Sequence, residues 1–90
     1  MIMSGRKKGT VRFSLRCGDT VRSVCVAGDF SDWEALPMRK REDTFAVTVP
    51  LDPGSHQYKF ILDDRWQTDP DNEHCAVSEL GTVNSVAVVA

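Results

Sequence analysis

His56-Gln57-Tyr58-Lys59-Phe60-Ile61-Leu62-Asp63-Asp64-Arg65-Trp66 is the stretch whose reading decides the fold. Tyr58, Phe60 and Leu62 occupy alternate positions, which in an extended chain puts them on one face. Asp63-Asp64 then supplies a two-residue turn, since Asp tolerates the positive φ that such turns need. With that turn Leu62 pairs with Arg65, Ile61 with Trp66 and Lys59 with Thr68. Because side chains alternate, Lys59, Ile61 and Trp66 share the face opposite Tyr58, Phe60 and Leu62. The stretch predicts an antiparallel hairpin with a core face and an outer face, the outer one setting an indole beside an ammonium group.

The same period of two recurs on either side. Val11-Arg12-Phe13-Ser14-Leu15-Arg16 alternates cleanly, and Gly18-Asp19 supplies a turn. Val21 to Ala27 carries apolar residues on both faces, as a central strand does. Phe45 to Leu51 alternates again before a turn at Pro53-Gly54, and Val83 to Val89 forms a last strand. No window longer than about ten residues places apolar residues at the i, i+3, i+4, i+7 spacing of a helix. The best candidate, Glu34 to Glu42, is interrupted by Pro37. Short strands with turn residues roughly every eight to twelve positions predict an all-β fold, a small antiparallel sandwich. Ninety residues match one domain. Residues 1–10 read as a flexible basic segment and 11–90 as the sandwich.

With 41% apolar and 27% charged residues, the composition is that of a soluble globular domain. A formal net charge of −2 weighs against nucleic acid or an anionic membrane as a partner. The longest apolar run, Val86 to Ala90, is too short to span a bilayer. The basic start Arg6-Lys7-Lys8 lacks the apolar stretch that a secretory signal needs behind it. Cys17, Cys25 and Cys75 are an odd set without CxxC spacing, which suits reduced thiols in a cytoplasmic protein better than a disulfide framework.

Signatures of catalysis are absent: no GxSxG elbow, no HExxH, no glycine-rich phosphate loop. His56 sits beside a tight turn and His74 in a polar loop near Cys75. Asp63, Asp64, Asp69, Asp71 and Glu73 offer carboxylates that could flank a glycosidic bond, but polar turn residues are the simpler reading. The expectation is a protein that is not an enzyme and needs no cofactor. Asp69-x-Asp71-x-Glu73 begins like an EF-hand loop, yet His74 stands where Gly is required and Leu80 where the bidentate Glu belongs. Cys17, Cys25, Cys75 and His74 lack paired zinc-ligand spacing, and Cys25 is expected inside a central strand. Arg6-Lys7-Lys8 and Arg39-Lys40-Arg41 read as a solvated tail and a solvated loop.

The two tryptophans are more informative. Trp33 lies in a polar loop directly after a strand, and Trp66 just past the hairpin turn. Two roles fit each of them. Trp33 suits a plug at the end of the sandwich and Trp66 a cap over the hairpin; equally, both suit platforms for a ligand. A pyranose has a C–H face that stacks on an indole and hydroxyls that take donors at the edge, so Trp66 beside Lys59 fits a sugar.

Four motifs carry a resemblance. Gly28-Asp29-Phe30-Ser31-Asp32-Trp33, Pro53-Gly54-Ser55-His56-Gln57-Tyr58-Lys59-Phe60, Asp63-Asp64-Arg65-Trp66 with Asp69-Pro70, and Leu80-Gly81-Thr82-Val83-Asn84 occur in order over residues 10 to 90. Together they resemble the glycogen-binding module of AMP-activated protein kinase β subunits. That module belongs to carbohydrate-binding module family 48, found also at the N-terminus of isoamylases and glycogen branching enzymes. The resemblance implies an immunoglobulin-like (early-set) β-sandwich that binds α-1,4-glucans such as glycogen, starch or maltooligosaccharides. Such a module targets an attached kinase or glycoside hydrolase or transferase domain to the polymer. By the same resemblance Trp33 and Trp66 stack on glucose rings, Lys59 hydrogen-bonds sugar hydroxyls, and Leu80, Thr82 and Asn84 contact the sugar. The chain departs from the pattern at Ser31 and Asp32, where the family favours asparagines, and at Asp64, where its hairpin carries Gly. Asp32 adds a charge near the sugar path. The alternative from another class is a protein–protein interaction or regulatory module on the same sandwich, with little or no sugar binding.

Overall fold

The computed structural model describes residues 2–4, 9–18, 20–78 and 80–89, the side chains of Met3 and Ser4 excepted. One sheet contains β1 (Ile2–Ser4), β2 (Thr10–Arg16), β5 (Arg39–Arg41) and β6 (Thr44–Pro50) in the order β1-β2-β6-β5. The other contains β3 (Val24–Gly28), β4 (Leu36–Pro37), β7 (Gly54–Leu62), β9 (Cys75–Val77) and β10 (Val83–Val89) in the order β4-β3-β7-β10-β9. A short β8 (Arg65–Gln67) pairs with β7 as well. Every pairing is antiparallel. Among the described residues the helical content is one 3-10 turn, Asp29–Ser31.

The core lies between the sheets and follows from the alternation. Val11, Phe13 and Leu15 of β2 and Phe45 and Val49 of β6 face Val24 and Val26 of β3, Tyr58 and Phe60 of β7 and Ala87 of β10. The Phe13 ring meets Tyr58 edge-on at 4.9 Å, and Tyr58 meets Phe60 at 5.7 Å. Each large side chain buried in this way contributes about 1.5–3 kcal/mol. β7 is the central strand: β3 pairs with it over Tyr58–Leu62 and β10 over Gly54–Tyr58, while β8 pairs with Phe60–Leu62.

The structure departs from the sequence reading in several places. The strand expected over Val21–Ala27 begins only at Val24. Before it, the N–H groups of Arg22 and Ser23 donate to the Asp63 carboxylate instead of to a neighbouring strand. Cys25 is half-buried rather than enclosed, because it lies on the outer side of β3 opposite Pro37 and Ile61. Within the first ten residues there is strand structure that the sequence pattern does not show. Ile2–Ser4 pairs with Val11–Phe13, Ile2 packs against the core, and β2 already starts at Thr10. Met1 and residues 5–8 lie outside the described residues, as does Asp19 of the expected Gly18-Asp19 turn. Finally, β4, β5 and β9 are too short to show an alternating pattern and were not predicted. Cys17, Cys25 and Cys75 are free thiols.

A polar network crosses this apolar interior. The Tyr58 hydroxyl donates to Asp69 Oδ2 at 2.7 Å and accepts from Asn72 Nδ2 at 3.0 Å. Asn72 Nδ2 also donates to the Val86 carbonyl, and the Asp69 N–H donates to Ser85 Oγ. Burial, chiefly, pushes the Tyr58 hydroxyl far above its usual pKa, so it remains a donor at every relevant pH. The network pins the 69–74 segment to the middle of the second sheet. Replacing Tyr58 by Phe keeps the ring packing but removes the donor to a buried carboxylate. Urea denaturation of Tyr58→Phe should show a loss of about 1–3 kcal/mol.

Candidate functional site

An open groove of about 710 Å³ lies on the outer face of the β4-β3-β7-β10-β9 sheet. Trp33, Lys59, Trp66, Leu80, Thr82 and Asn84, the six residues singled out in the sequence, all line it.

Trp33 is delivered by a loop whose every residue has a mechanical task. A Cβ on Gly28 would lie 2.4 Å from the Phe30 ring and 2.5 Å from the Gln57 carbonyl oxygen, so the position has no room for a side chain. Phe30 turns inward and stacks on Phe13 at 5.5 Å, anchoring the loop to the core. Asp29 Oδ2 accepts the Gln57 N–H at 2.9 Å, tying the loop to β7. Ser31 Oγ bonds with the backbone of Gly28 and with the Glu34 carbonyl, and the Trp33 N–H closes back on the Gly28 carbonyl. Asp32 and Trp33 then take left-handed φ values of 53° and 63°. That conformation is strained for a bulky residue, on the order of 1 kcal/mol or more, and is held by the bonds around it. It leaves the indole 39% exposed.

Trp66 comes from the hairpin. Asp63 and Asp64 have φ of 47° and 72°, the positive values that a two-residue turn needs, and Leu62–Arg65 and Ile61–Trp66 pair in the expected register. Phe60 pairs with Gln67, where β8 ends, so the expected Lys59–Thr68 pair does not extend the ladder. The Trp66 indole is 53% exposed, and Lys59 is half-buried on β7. Asp63 locks the turn from outside: its carboxylate accepts the Ser23 N–H at 2.9 Å and the Arg22 N–H at 3.2 Å. Those backbone donors hold its carboxyl below the usual carboxylate range.

The third wall is the β9–β10 connection. Ser78 N–H donates to the Thr82 carbonyl, Gly81 N–H to the Ser78 carbonyl, and the Ser78 and Thr82 hydroxyls meet at 2.7 Å. Gly81 has φ of 84°, which a glycine adopts at no steric cost. Leu80 stands at this tip with 91% of its surface exposed. Asn84 is the reverse case, only 5% exposed, with Nδ2 donating to Gln57 Oε1 at 2.9 Å. This bond fixes the amide and leaves Asn84 Oδ1 an acceptor and Gln57 Nε2 a donor.

Asp29, Gln57, Val77 and Ser78 also line the groove and were not singled out in the sequence. Gln57 was recoverable, because it lies two residues before Lys59 on the same face of one strand. The other three depend on how loops close. Several groups weighed as catalytic turn out to be structural: Asp69 bonds Tyr58, Asp63 holds Arg22 and Ser23, and His56 Nε2 donates to the Asp52 carbonyl at 2.7 Å. Among the described residues no three His, Cys, Asp or Glu side chains cluster closely enough to hold a metal ion. The groove offers two indoles, one exposed leucine and a rim of amide, hydroxyl and ammonium groups, an arrangement for binding a ligand that has both apolar faces and hydroxyls.

Comparison with known proteins gives the following. The model of a family described as the glycogen recognition site of AMP-activated protein kinase matches residues 11–90. 5′-AMP-activated protein kinase subunit beta-1 of Sus scrofa is 38% identical over 68 residues, covering 76% of this chain and 55% of that protein. The human beta-1 subunit (Homo sapiens) is 38% identical over 68 residues, 76% of this chain and 25% of that subunit. The beta-2 subunit of Mus musculus is 34% identical over 73 residues, 80% of this chain and 27% of that subunit. The chain thus spans about half the length of the first of these relatives and about a quarter of the other two. A crystal structure of maltogenic amylase from S. marinus superposes on 100% of this chain and 16% of its own, with a TM-score of 0.78 at 23% identity, a likeness of fold.

Asp63 makes the hairpin pH-sensitive. Its pKa is lower in the fold than the ordinary 3.8, so its stabilisation is fully present above pH 3.8 and is lost as pH falls through the lower folded value. Asp63→Asn should therefore melt below the wild type at neutral pH. The gap in melting temperature should close as pH is lowered beyond that range.

Proposed function

The chain belongs to the family of the glycogen recognition site of AMP-activated protein kinase, and on that premise we propose a non-catalytic module whose groove binds α-1,4-linked glucans. It is of the kind grouped as carbohydrate-binding module family 48, and glycogen, starch and maltooligosaccharides are its ligand class. One observation carries the reading. Trp33, Lys59, Trp66 and the Leu80–Asn84 segment, drawn from separate stretches of sequence, line a single open groove with aromatic platforms and polar edges together.

In this reading Trp33 and Trp66 stack on glucose C–H faces, and Lys59 and Asn84 anchor hydroxyls. Leu80 and Thr82 wrap the side of the chain. Each stack contributes about 0.5–1.5 kcal/mol beyond burial, by analogy with aromatic pairs. Each hydrogen bond adds about 1 kcal/mol net. Together with the apolar area that the two indoles bury, these terms offset an association cost of at least about 4 kcal/mol by a small margin, so the expected binding is weak, roughly tens of micromolar to millimolar. Weak single sites suit a polymer with many equivalent sites, because an attached or associated enzyme is then held by repeated rebinding. The matched relatives are kinase subunits, so a kinase is the proposed catalytic partner, with a glycoside hydrolase or transferase domain the other candidate. Three free thiols accord with a reducing compartment, and we place the module in the cytoplasm. Among the described residues no helix is long and apolar enough to cross a membrane.

Titration with maltoheptaose, followed by tryptophan fluorescence and amide NMR shifts, tests the proposal. Saturable perturbation centred on Trp33, Trp66 and the Leu80 loop is expected, with dissociation constants in the range above. Trp66→Ala should weaken binding by about tenfold or more while the melting temperature holds, since the indole is exposed. Unchanged spectra at about 10 mM sugar would overturn the reading.

A further inference from the structure

The sheet that takes no part in the groove, β1-β2-β6-β5, has an outer face of its own character. Alternation sends Val11, Phe13 and Leu15 inward and leaves Arg12, Ser14 and Arg16 outside on β2. On β6 it leaves Thr44, Ala46 and Thr48 outside. Cross-strand register then fixes the rest: Arg12 lies opposite Thr48 and Arg16 opposite Thr44, while β5 sets Arg39 opposite Ala46 and Arg41 opposite Thr44. The result is a trough. Its floor is the row of small side chains on β6, and arginines rise on both sides, with the flanking strands about 9.5 Å apart.

All four arginines are exposed. The acidic residues at this sheet, among those described, are Glu42 and Asp43 in the β5–β6 turn. Arg16 engages Asp43 at 2.7 Å, and no other ion pair of these arginines is found among the described residues. Lys40, between Arg39 and Arg41, points the other way, with Nζ 5.7 Å from the centre of the Phe45 ring. A chain of net charge −2 has thus gathered four of its cations onto one flat face. The stretch Arg39-Lys40-Arg41, which reads in the sequence as a solvated loop, is part of a two-sided array.

We propose that this face docks an acidic polypeptide segment, lying along β6 with Asp or Glu carboxylates paired to Arg12, Arg39 and Arg41. Guanidinium groups match carboxylates in a two-pronged geometry that ammonium groups lack. An extended segment presents alternate side chains about 6.8 Å apart, which is the repeat of Arg39 and Arg41 along their own strand. On β2, β5 and β6, which form the trough, the alternation leaves no outward aromatic side chain for base stacking and no large outward apolar one for entering a bilayer. Since the groove is on the opposite sheet, peptide and groove ligand would be bound on different faces of the sandwich.

The test uses the full 90-residue chain, labelled with ¹⁵N, and poly-L-glutamate of about twenty residues as the probe. A single-stranded oligonucleotide of equal charge and phosphatidylserine vesicles serve as competitors for the assignment. Poly-L-glutamate should shift amides of β2, β5 and β6 and the arginine Nε–H signals of Arg12, Arg39 and Arg41. Its affinity should fall about tenfold as salt rises from about 50 to about 200 mM. Arg39→Gln/Arg41→Gln should weaken it about tenfold, whereas the charge-matched Arg22→Gln/Arg65→Gln should change it less than about twofold. All substitutions are at exposed positions, and melting temperature verifies the fold of each variant. Equal weakening by the two pairs of substitutions would reduce the effect to net charge and overturn the proposal. Absence of shifts on this sheet would also overturn it, as would tighter binding of the oligonucleotide or the vesicles at the same arginines.

Discussion

Tyr58 holds this molecule together in two directions at once. Its ring is completely buried between Phe13 of the facing sheet and Phe60 of its own strand. Its hydroxyl binds the Asp69 carboxylate, which would be expensive to bury without such a donor. Through Asn72 the same hydroxyl reaches the Val86 carbonyl, and Asp69 reaches Ser85, so β7, β10 and the 69–74 segment are fixed to one another by one buried cluster. The sandwich is closed by apolar packing, but the 69–74 segment is fixed onto the β7–β10 pair by this polar cluster.

The groove inherits its shape from that arrangement. Gln57 and Lys59 flank Tyr58 on β7, and Asn84 precedes Ser85 on β10, so each groove residue on these strands is the outward neighbour of a buried one. Rigid strands supply the floor and the two indoles arrive on tight turns. Both turns are built from left-handed non-glycine residues, Asp32 with Trp33 and Asp63 with Asp64. Strain of this kind persists only where surrounding bonds overdetermine the geometry. Here the bonds are the Ser31 hydroxyl, the Trp33–Gly28 closure and the Asp63 carboxylate. Leu80 differs: its loop is closed by Ser78 and Thr82, yet its side chain stands exposed.

The two faces of the sandwich carry different chemistry on the same scaffold. One presents aromatic rings and amides around a concavity, suited to neutral hydroxylated ligands. The other presents guanidinium groups over a flat floor of small side chains, suited to anions. Because each strand alternates, changing an outward residue on either face leaves the shared core intact, which is how a domain of this size can host two recognition surfaces.

The sequence by itself determined the all-β class and the core faces of the long strands, because alternation in Val11–Arg16, Phe45–Leu51 and His56–Leu62 is a local property that turns one set of side chains inward. It also determined the Leu62–Arg65 and Ile61–Trp66 pairs, since a two-residue turn fixes register without reference to the rest of the chain. The motifs named the six groove residues. Only the tertiary structure decided that Ile2–Ser4 joins a sheet, that the strand after Gly18 starts at Val24, and that β4, β5 and β9 exist. These elements are too short to carry a pattern and are held by partners distant in sequence. The same holds for Asp63, whose bonds to Arg22 and Ser23 span about forty residues, and for the arginine trough. Its two walls belong to strands separated by more than twenty residues of chain, and they become neighbours only when β6 lies between them.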